Sequence, residues 1–333
     1  MNALRLSLRL LIATLLALTA MFWLWSGSDS SLATLLMRLQ RFLPAGQTLE
    51  AKGVQGSLRA GGHIDWLRWR QGELSVEAKD IGVAWTLAPL FNKQLRLSEL
   101  SVGSLLIDDQ RSPTSAEPAT PPTSLRLPIT VDVPFTVASI RTTGAMTLQA
   151  SEASGRYIFE NDLHRLEKGQ LRMASGNYQI DTELQAVAPM ALKLQLHGVV
   201  QTTLASSTRP LTVVADAQLT GALAGADATL ALTASLRPEP ATGPATRTSQ
   251  SEAMQADVSA QIAPWQVQPL TQAHARWQAL NLAALWPQAP QTLLGGEANV
   301  TPAGQGWQGK VKLANTLPGP WNQQRLPLDT LQA

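Results

Sequence analysis

Residues 129–137 read Ile-Thr-Val-Asp-Val-Pro-Phe-Thr-Val, and their alternation decides the fold class. Successive side chains of a strand point to opposite faces, so Ile129, Val131, Val133, Phe135 and Val137 share one face and Thr130, Asp132, Pro134 and Thr136 the other. Pro134 has no N–H to give to a ladder, which places it at a sheet edge or a bulge. The same period runs outward in both directions. Leu192, Leu194 and Leu196 alternate with Lys193, Gln195 and His197, and Leu230 and Leu232 are flanked by Thr229 and Thr233. Upstream, Leu74, Val76 and Ala78 alternate with Glu73, Ser75 and Glu77. Between Leu95 and Ile107 the apolar phase slips from Leu95/Leu97 to Leu100/Val102, which predicts a bulge near Glu99. Gly61-Gly62 and Gly295-Gly296 read as tight reversals.

Strand follows strand with no helical stretch between them. That pattern argues for a meandering antiparallel sheet rather than βαβ units. Each apolar face must then be covered by the sheet curling on itself, by a second sheet, or by a ligand. Two tracts rich in Pro, Ser and Thr, 110–124 and 237–254, read as exposed loops. They divide the strand region into segments 46–109, 125–236 and 255–333.

The N-terminus is different. Leu10 to Trp25 carries no charge, and Arg5 and Arg9 precede it. As a helix this run spans about 24 Å, and Leu4, Leu6 and Leu8 lengthen it toward a hydrocarbon core while the arginines snorkel. Leu10, Leu11, Ile12, Leu15, Leu16, Leu18, Phe22 and Leu24 supply the apolar surface, and Trp23 and Trp25 close it as an interfacial belt. Arg5 and Arg9 orient the N-terminus to the cytoplasm and the bulk of the chain outside. The expectation is a single-pass signal-anchor over 1–27; Ser26-Gly27-Ser28 also permits cleavage, and either way the rest is exported. Residues 28–45 read as an amphipathic helix: Asp29, Ser30 and Ser31 offer N-caps, Leu32, Leu35, Leu36, Leu39 and Phe42 form one face, and Pro44 and Gly46 stop it. It either covers the first strands or, with Arg38 and Arg41, lies on a membrane surface.

Composition excludes several classes. With 15% charged against 44% hydrophobic residues the chain is not broadly disordered. A net charge of +2 from scattered Lys and Arg argues against nucleic-acid binding. Zero cysteines leave no disulfide framework and no thiolate metal site. His63, His164, His197 and His274 are far apart and none has metal-ligand spacing; Asp108-Asp109 reads as a solvated strand end. There is no G-x-S-x-G elbow and no Ser beside a His. Gly304-Gln305-Gly306-Trp307-Gln308-Gly309 matches a dinucleotide fingerprint literally, but Lys310-Val311-Lys312-Leu313 after it is another alternating strand, so a hairpin is expected. No enzyme and no cofactor are indicated.

The order of short motifs resembles a family. After the anchor and Phe42-Leu43-Pro44 come Val54-Gln55-Gly56-Ser57-Leu58, Ile64-Asp65-Trp66-Leu67-Arg68-Trp69, Val76-Glu77-Ala78-Lys79-Asp80-Ile81, Ala84-Trp85-Thr86-Leu87-Ala88-Pro89-Leu90 and Leu95-Arg96-Leu97-Ser98-Glu99-Leu100. Leu125-Arg126-Leu127-Pro128-Ile129, and Leu280-Asn281-Leu282 leading to Leu294-Gly295-Gly296, follow. This resembles the N-terminal part of the TamB family, within the AsmA-like, bridge-like lipid transfer group. The resemblance implies an elongated, curled, taco-like sheet with an apolar groove, anchored in the bacterial inner membrane and extending through the periplasm. It implies phospholipid movement between inner and outer membranes or, alternatively, a scaffold role in inserting autotransporters and other outer-membrane proteins. Either role involves an Omp85-type outer-membrane partner. Family members are longer and engage that partner through a C-terminal domain, so the chain reads as a fragment or truncated form. The candidate groove lining is Ile129, Val131, Val133, Phe135, Val137, Leu192, Leu194, Leu196, Leu230 and Leu232.

Overall fold

The computed structural model describes residues 26–86, 88–110, 120–144, 147–203, 210–239, 254–285, 289–304 and 306–333. The chain is mainly β and divides into two compact units, Met1–Arg111 with Ile129–Gln149, and Ser112–Pro128 with Ala150–Ala333.

The first unit holds helix α1 (Ser31–Leu39), β1 (Gln47–Ser57), β2 (Gly61–Gln71), β3 (Leu74–Trp85), β4 (Gln94–Asp109), β5 (Thr130–Val137) and β6 (Ile140–Gly144). β1 to β4 form an antiparallel meander. One face lines up Val54, Ile64, Ile81 and Val102 across the four strands, and next to them Ala51, Leu67, Ala78 and Leu105. Ile64, Ala78 and Ile81 are buried there, with Leu36 of α1 packed against them. The amphipathic helix therefore covers the first strands. Ser31 ties it down: its hydroxyl donates to the Ser28 carbonyl at 2.8 Å and accepts the Leu58 amide at 3.0 Å, reaching the β1–β2 turn.

The phase slip of β4 is a bulge: Ala84 pairs with Glu99 but Trp85 with Leu97, so Ser98 has no opposite residue. β5 departs from the antiparallel expectation. It runs parallel to β4, pairing Gln94–Arg96 with Thr130–Asp132 and resuming at Ser101 and Val102 with Thr136 and Val137. Pro134 lies in the interruption, where a missing N–H costs nothing. β6 continues the parallel pairing. A parallel neighbour needs a long crossover, and the chain between Asp109 and Thr130 supplies it.

The second unit is a meander of β7 (Leu148–Glu160, belonging to it from Ala150), β8 (Leu163–Met173), β9 (Gly176–Gln185), β10 (Ala191–Thr203), β11 (Pro210–Ala222), β12 (Leu230–Pro238), β13 (Gln255–Ile262), β14 (Leu270–Leu280), the short helix α2 (Leu282–Leu285), β15 (Leu294–Ala303), β16 (Gly306–Asn315) and β17 (Thr330–Gln332). Each strand from β7 to β17 pairs antiparallel with the next. Leu125, just before β5 in sequence, is pinned to this unit by its amide on the Ala186 carbonyl and its carbonyl under the His164 Nε2–H.

Gly295-Gly296 is not a reversal. Both glycines lie inside β15, Gly296 opposite Trp277, and a Cβ on Gly296 would stand 2.2 Å from the Lys312 carbonyl oxygen. The glycine admits a close backbone approach beside a large indole. Arg237 and Pro238, which the sequence places in a loop, complete β12, and Met254 at that loop's far end is buried against Val213 and Leu236. The anchor residues Leu10 to Trp25, with Arg5 and Arg9, lie outside the described residues, as do 111–119 and 240–253 of the two loops. Among the described residues no helix is long and apolar enough to cross a membrane.

Candidate functional site

The register of the second unit carries the alternation across strands as rows. Leu194 faces Leu219, Leu219 faces Leu232, and the row goes on through Ala260 and Ala273 to Val300. Beside it, Leu196, Ala217, Ala234, Val258, Ala275 and Ala298 form a second row. A third joins Leu192 to Leu230 through Gly221. Antiparallel pairing produces such rows automatically once each strand holds its phase, because opposite residues share a face. None of these side chains is ionisable, and the alanines keep the relief low.

Exposure varies along the strands. Leu230, Val213 and Leu236 near the strand ends are buried, Val213 completely. Leu192, Leu194, Leu196, Leu219 and Leu232 are only half-buried, whereas Lys193, Gln195, His197 and Thr233 on the other face are exposed. In the first unit Val131 and Val137 are buried and Ile129, Val133 and Phe135 half-buried. The structure thus brings Leu192, Leu194, Leu196, Leu230 and Leu232 onto one face of the second unit, and places Ile129 to Val137 in the first. Leu219, the bridge between Leu194 and Leu232, escaped sequence reasoning because strand pairing is not visible along one chain. Met254 escaped it because a loop tract precedes it.

Indole donors hold the strand ends. Trp85 Nε1 donates to the Leu58 carbonyl at 2.6 Å, Trp265 Nε1 to Leu223 at 2.8 Å and Trp307 Nε1 to Leu270 at 3.2 Å. Each bond joins segments far apart in sequence, a use of tryptophan that phenylalanine cannot replace.

Charge stays on the opposite face. In the first unit Lys52 and Arg68 stand over the Trp66 ring at 4.9 and 4.8 Å. The Arg68 guanidinium, with further hydrogen bonds from Trp66 and Lys79, pulls the Glu77 carboxyl down to about 2, against a smaller opposing effect of burial. Asp108 is lowered by hydrogen bonds from Thr143 and Gln110, and burial raises Tyr157.

The four histidines occupy separate settings. His63 Nε2 lies 3.3 Å from Asp65 and 3.4 Å from Asp80. His164 takes the Tyr157 hydroxyl on Nδ1 and donates from Nε2 to Leu125. His197 donates to Asp216 at 2.7 Å and His274 to Asn299 at 2.6 Å. Among the described residues no three His, Asp or Glu side chains are grouped to hold a metal. The glycine fingerprint at Gly304 is a hairpin: Ala303 pairs with Gly306, Gly304 turns at φ +60°, and strands lie on both sides.

Residues 17–140 match the family described as TamB, N-terminal domain. That stretch is similar to a TamB N-terminal domain. No curated protein and no solved structure matches the chain. The matched stretch contains α1 and β1 to β5, so Ile129 to Val137 fall inside it. Leu192 to Leu232 lie beyond it.

Proposed function

We propose that this protein is a TamB-type component of the translocation and assembly module. Leu10 to Trp25 tethers it in the bacterial inner membrane, and its apolar face carries phospholipid acyl chains through the periplasm toward an Omp85-type partner in the outer membrane. The observation that supports this most directly is the set of uncharged rows crossing β10 to β15 with their central leucines only partly buried. A closed core of this size would bury those leucines. An open one gains about 0.8 kcal/mol per CH₂ of acyl chain laid on it, without specific polar contacts.

The mechanism needs continuity rather than any single residue. Val133→Asp and Leu194→Asp should therefore abolish phospholipid transfer between inner- and outer-membrane vesicles or fractions, while Val133→Ala and Leu194→Ala leave it near normal. Equal effects of the charged and alanine variants would sink the proposal. Tolerance of both charges, with loss of outer-membrane protein insertion when proline enters a strand, would favour the scaffold role instead.

A further inference from the structure

One row on the apolar face of the second unit is interrupted by an imidazole. Phe159 lies opposite His164, His164 opposite Leu184 and Leu184 opposite Leu192, and the row runs on through Gly221 to Leu230. Opposite residues share a face, so His164 stands among side chains that are otherwise apolar or absent. Its ring packs on Phe159 with centroids 4.5 Å apart.

Both ring nitrogens are used. A carbonyl only accepts, so Nε2 carries the proton and donates it to the Leu125 oxygen at 2.9 Å, while Nδ1 accepts from the Tyr157 hydroxyl at 2.7 Å. Leu125 belongs to residues 120–128, which cluster with this unit. Its carbonyl meets the tip of a side chain rooted on the apolar face, so the segment crosses above that face as a strap. Pro121, Pro122 and Leu125 are partly buried, whereas Thr123, Ser124, Arg126, Leu127 and Pro128 are exposed. The Leu125 amide on the Ala186 carbonyl at 2.8 Å and an Arg126–Asp162 ion pair at 2.6 Å complete the hold.

That hold is polar and narrow. An exposed ion pair adds little, and each hydrogen bond contributes modestly once its exchange with water is counted. A permanent crossover would be served by another leucine at 164, which would continue the row and pack under Leu125. An imidazole there carries a desolvation cost that only its two hydrogen bonds offset. Such a contact holds the strap in one geometry and is lost outright when the strap lifts.

We propose that residues 120–128 are a latched strap that closes the β7–β9 end of the apolar face to acyl chains, a device that rests on the lipid path proposed above. His164 is the latch, and Tyr157 positions it by fixing its tautomer. Lifting the strap opens the row from Phe159 through Leu184 to Leu230.

Hydrogen exchange on the full chain reads the latch. The Leu125 amide should exchange at least about tenfold faster in His164→Phe, which keeps the ring volume and removes both bonds, while the amides of β10 are unchanged. Tyr157→Phe should act in the same direction by less. Photocrosslinking in isolated cell envelopes, with a photoreactive residue in place of Leu184, reads the gate. Lipid adducts there should rise at least about threefold in His164→Phe. They should fall by about as much when a short thiol-reactive cross-linker ties Arg126→Cys to Gln185→Cys, both exposed in a chain without other cysteines, and adducts from position 194 should not change. Leu125 exchange unaltered by His164→Phe, or adducts at 184 indifferent to the cross-link while those at 194 persist, would overturn the strap alone. No lipid adduct at either position in any of these chains would sink the lipid path and the gate with it, even where exchange shows the strap lifting.

Discussion

The two units solve the same problem in different ways. Each presents a meander with one apolar face, but in the first unit α1 lays Leu36 on that face, and Ile64, Ala78 and Ile81 are 7–8% exposed. In the second the central leucines remain half-buried, while Val213, Leu236 and Met254 nearer the strand ends are buried. The same alternation thus yields a buried core in one place and, among the described residues, a partly buried apolar face in the other. What differs, among the described residues, is that a helix lies on the first unit's face. Periodicity alone does not reveal that, because it reports which residues share a face and not what covers them.

Substitutions can break this comparison. The largest effect should follow Ile81→Asp, which places an unpaired charge under α1; loss of cooperative unfolding of the first unit in a denaturant titration is expected. Next, Ile64→Ala should cost about 2–4 kcal/mol, whereas Leu194→Ala or Leu232→Ala should cost less, about 1 kcal/mol, since a partly buried side chain forfeits less transfer energy and leaves no sealed void. Equal costs measured by urea unfolding would mean that the central leucines are an ordinary core.

Smaller effects sharpen the account. Trp85→Phe and Trp265→Phe keep the ring but leave the Leu58 and Leu223 carbonyls without their indole donors, and each should lower stability by about 1 kcal/mol. Hydrogen exchange should quicken at the β1–β2 turn in the first variant and the β11–β12 turn in the second. The last is a pH effect. The folded carboxyl of Glu77 titrates at about 2 against an ordinary value of 4.5, so its contribution is fully present above 4.5 and is lost as pH falls toward 2. Acid titration of Glu77→Gln should lack that component of the stability loss.

Much of this was legible in the chain. The phase slip at Glu99 located the bulge with Ser98 unpaired, and Pro134 signalled an interrupted ladder. Gly304-Gln305-Gly306 was readable as a hairpin because alternation resumed after it. The parallel pairing of β5 was not, since Ile129 to Val137 reads identically whichever way its neighbour runs; only the long connection before it hinted at a crossover. Gly295-Gly296 misled because a glycine pair that admits a close strand looks the same as one that turns. Of the candidate site, the strand phases of Leu192 to Leu196 and Leu230 to Leu232 were plain, but their union through Leu219 is a property of register.

The most direct test of the central claim is in-cell photocrosslinking, with a photoreactive residue placed at Leu194, Leu232 or Val133 and, as controls, at Lys193, Thr233 or Asp132. Phospholipid adducts at the apolar positions and none at the controls is the result expected of an open lipid-bearing face. Crosslinks confined to the chain itself at Leu194 and Leu232 would show a closed core and contradict it.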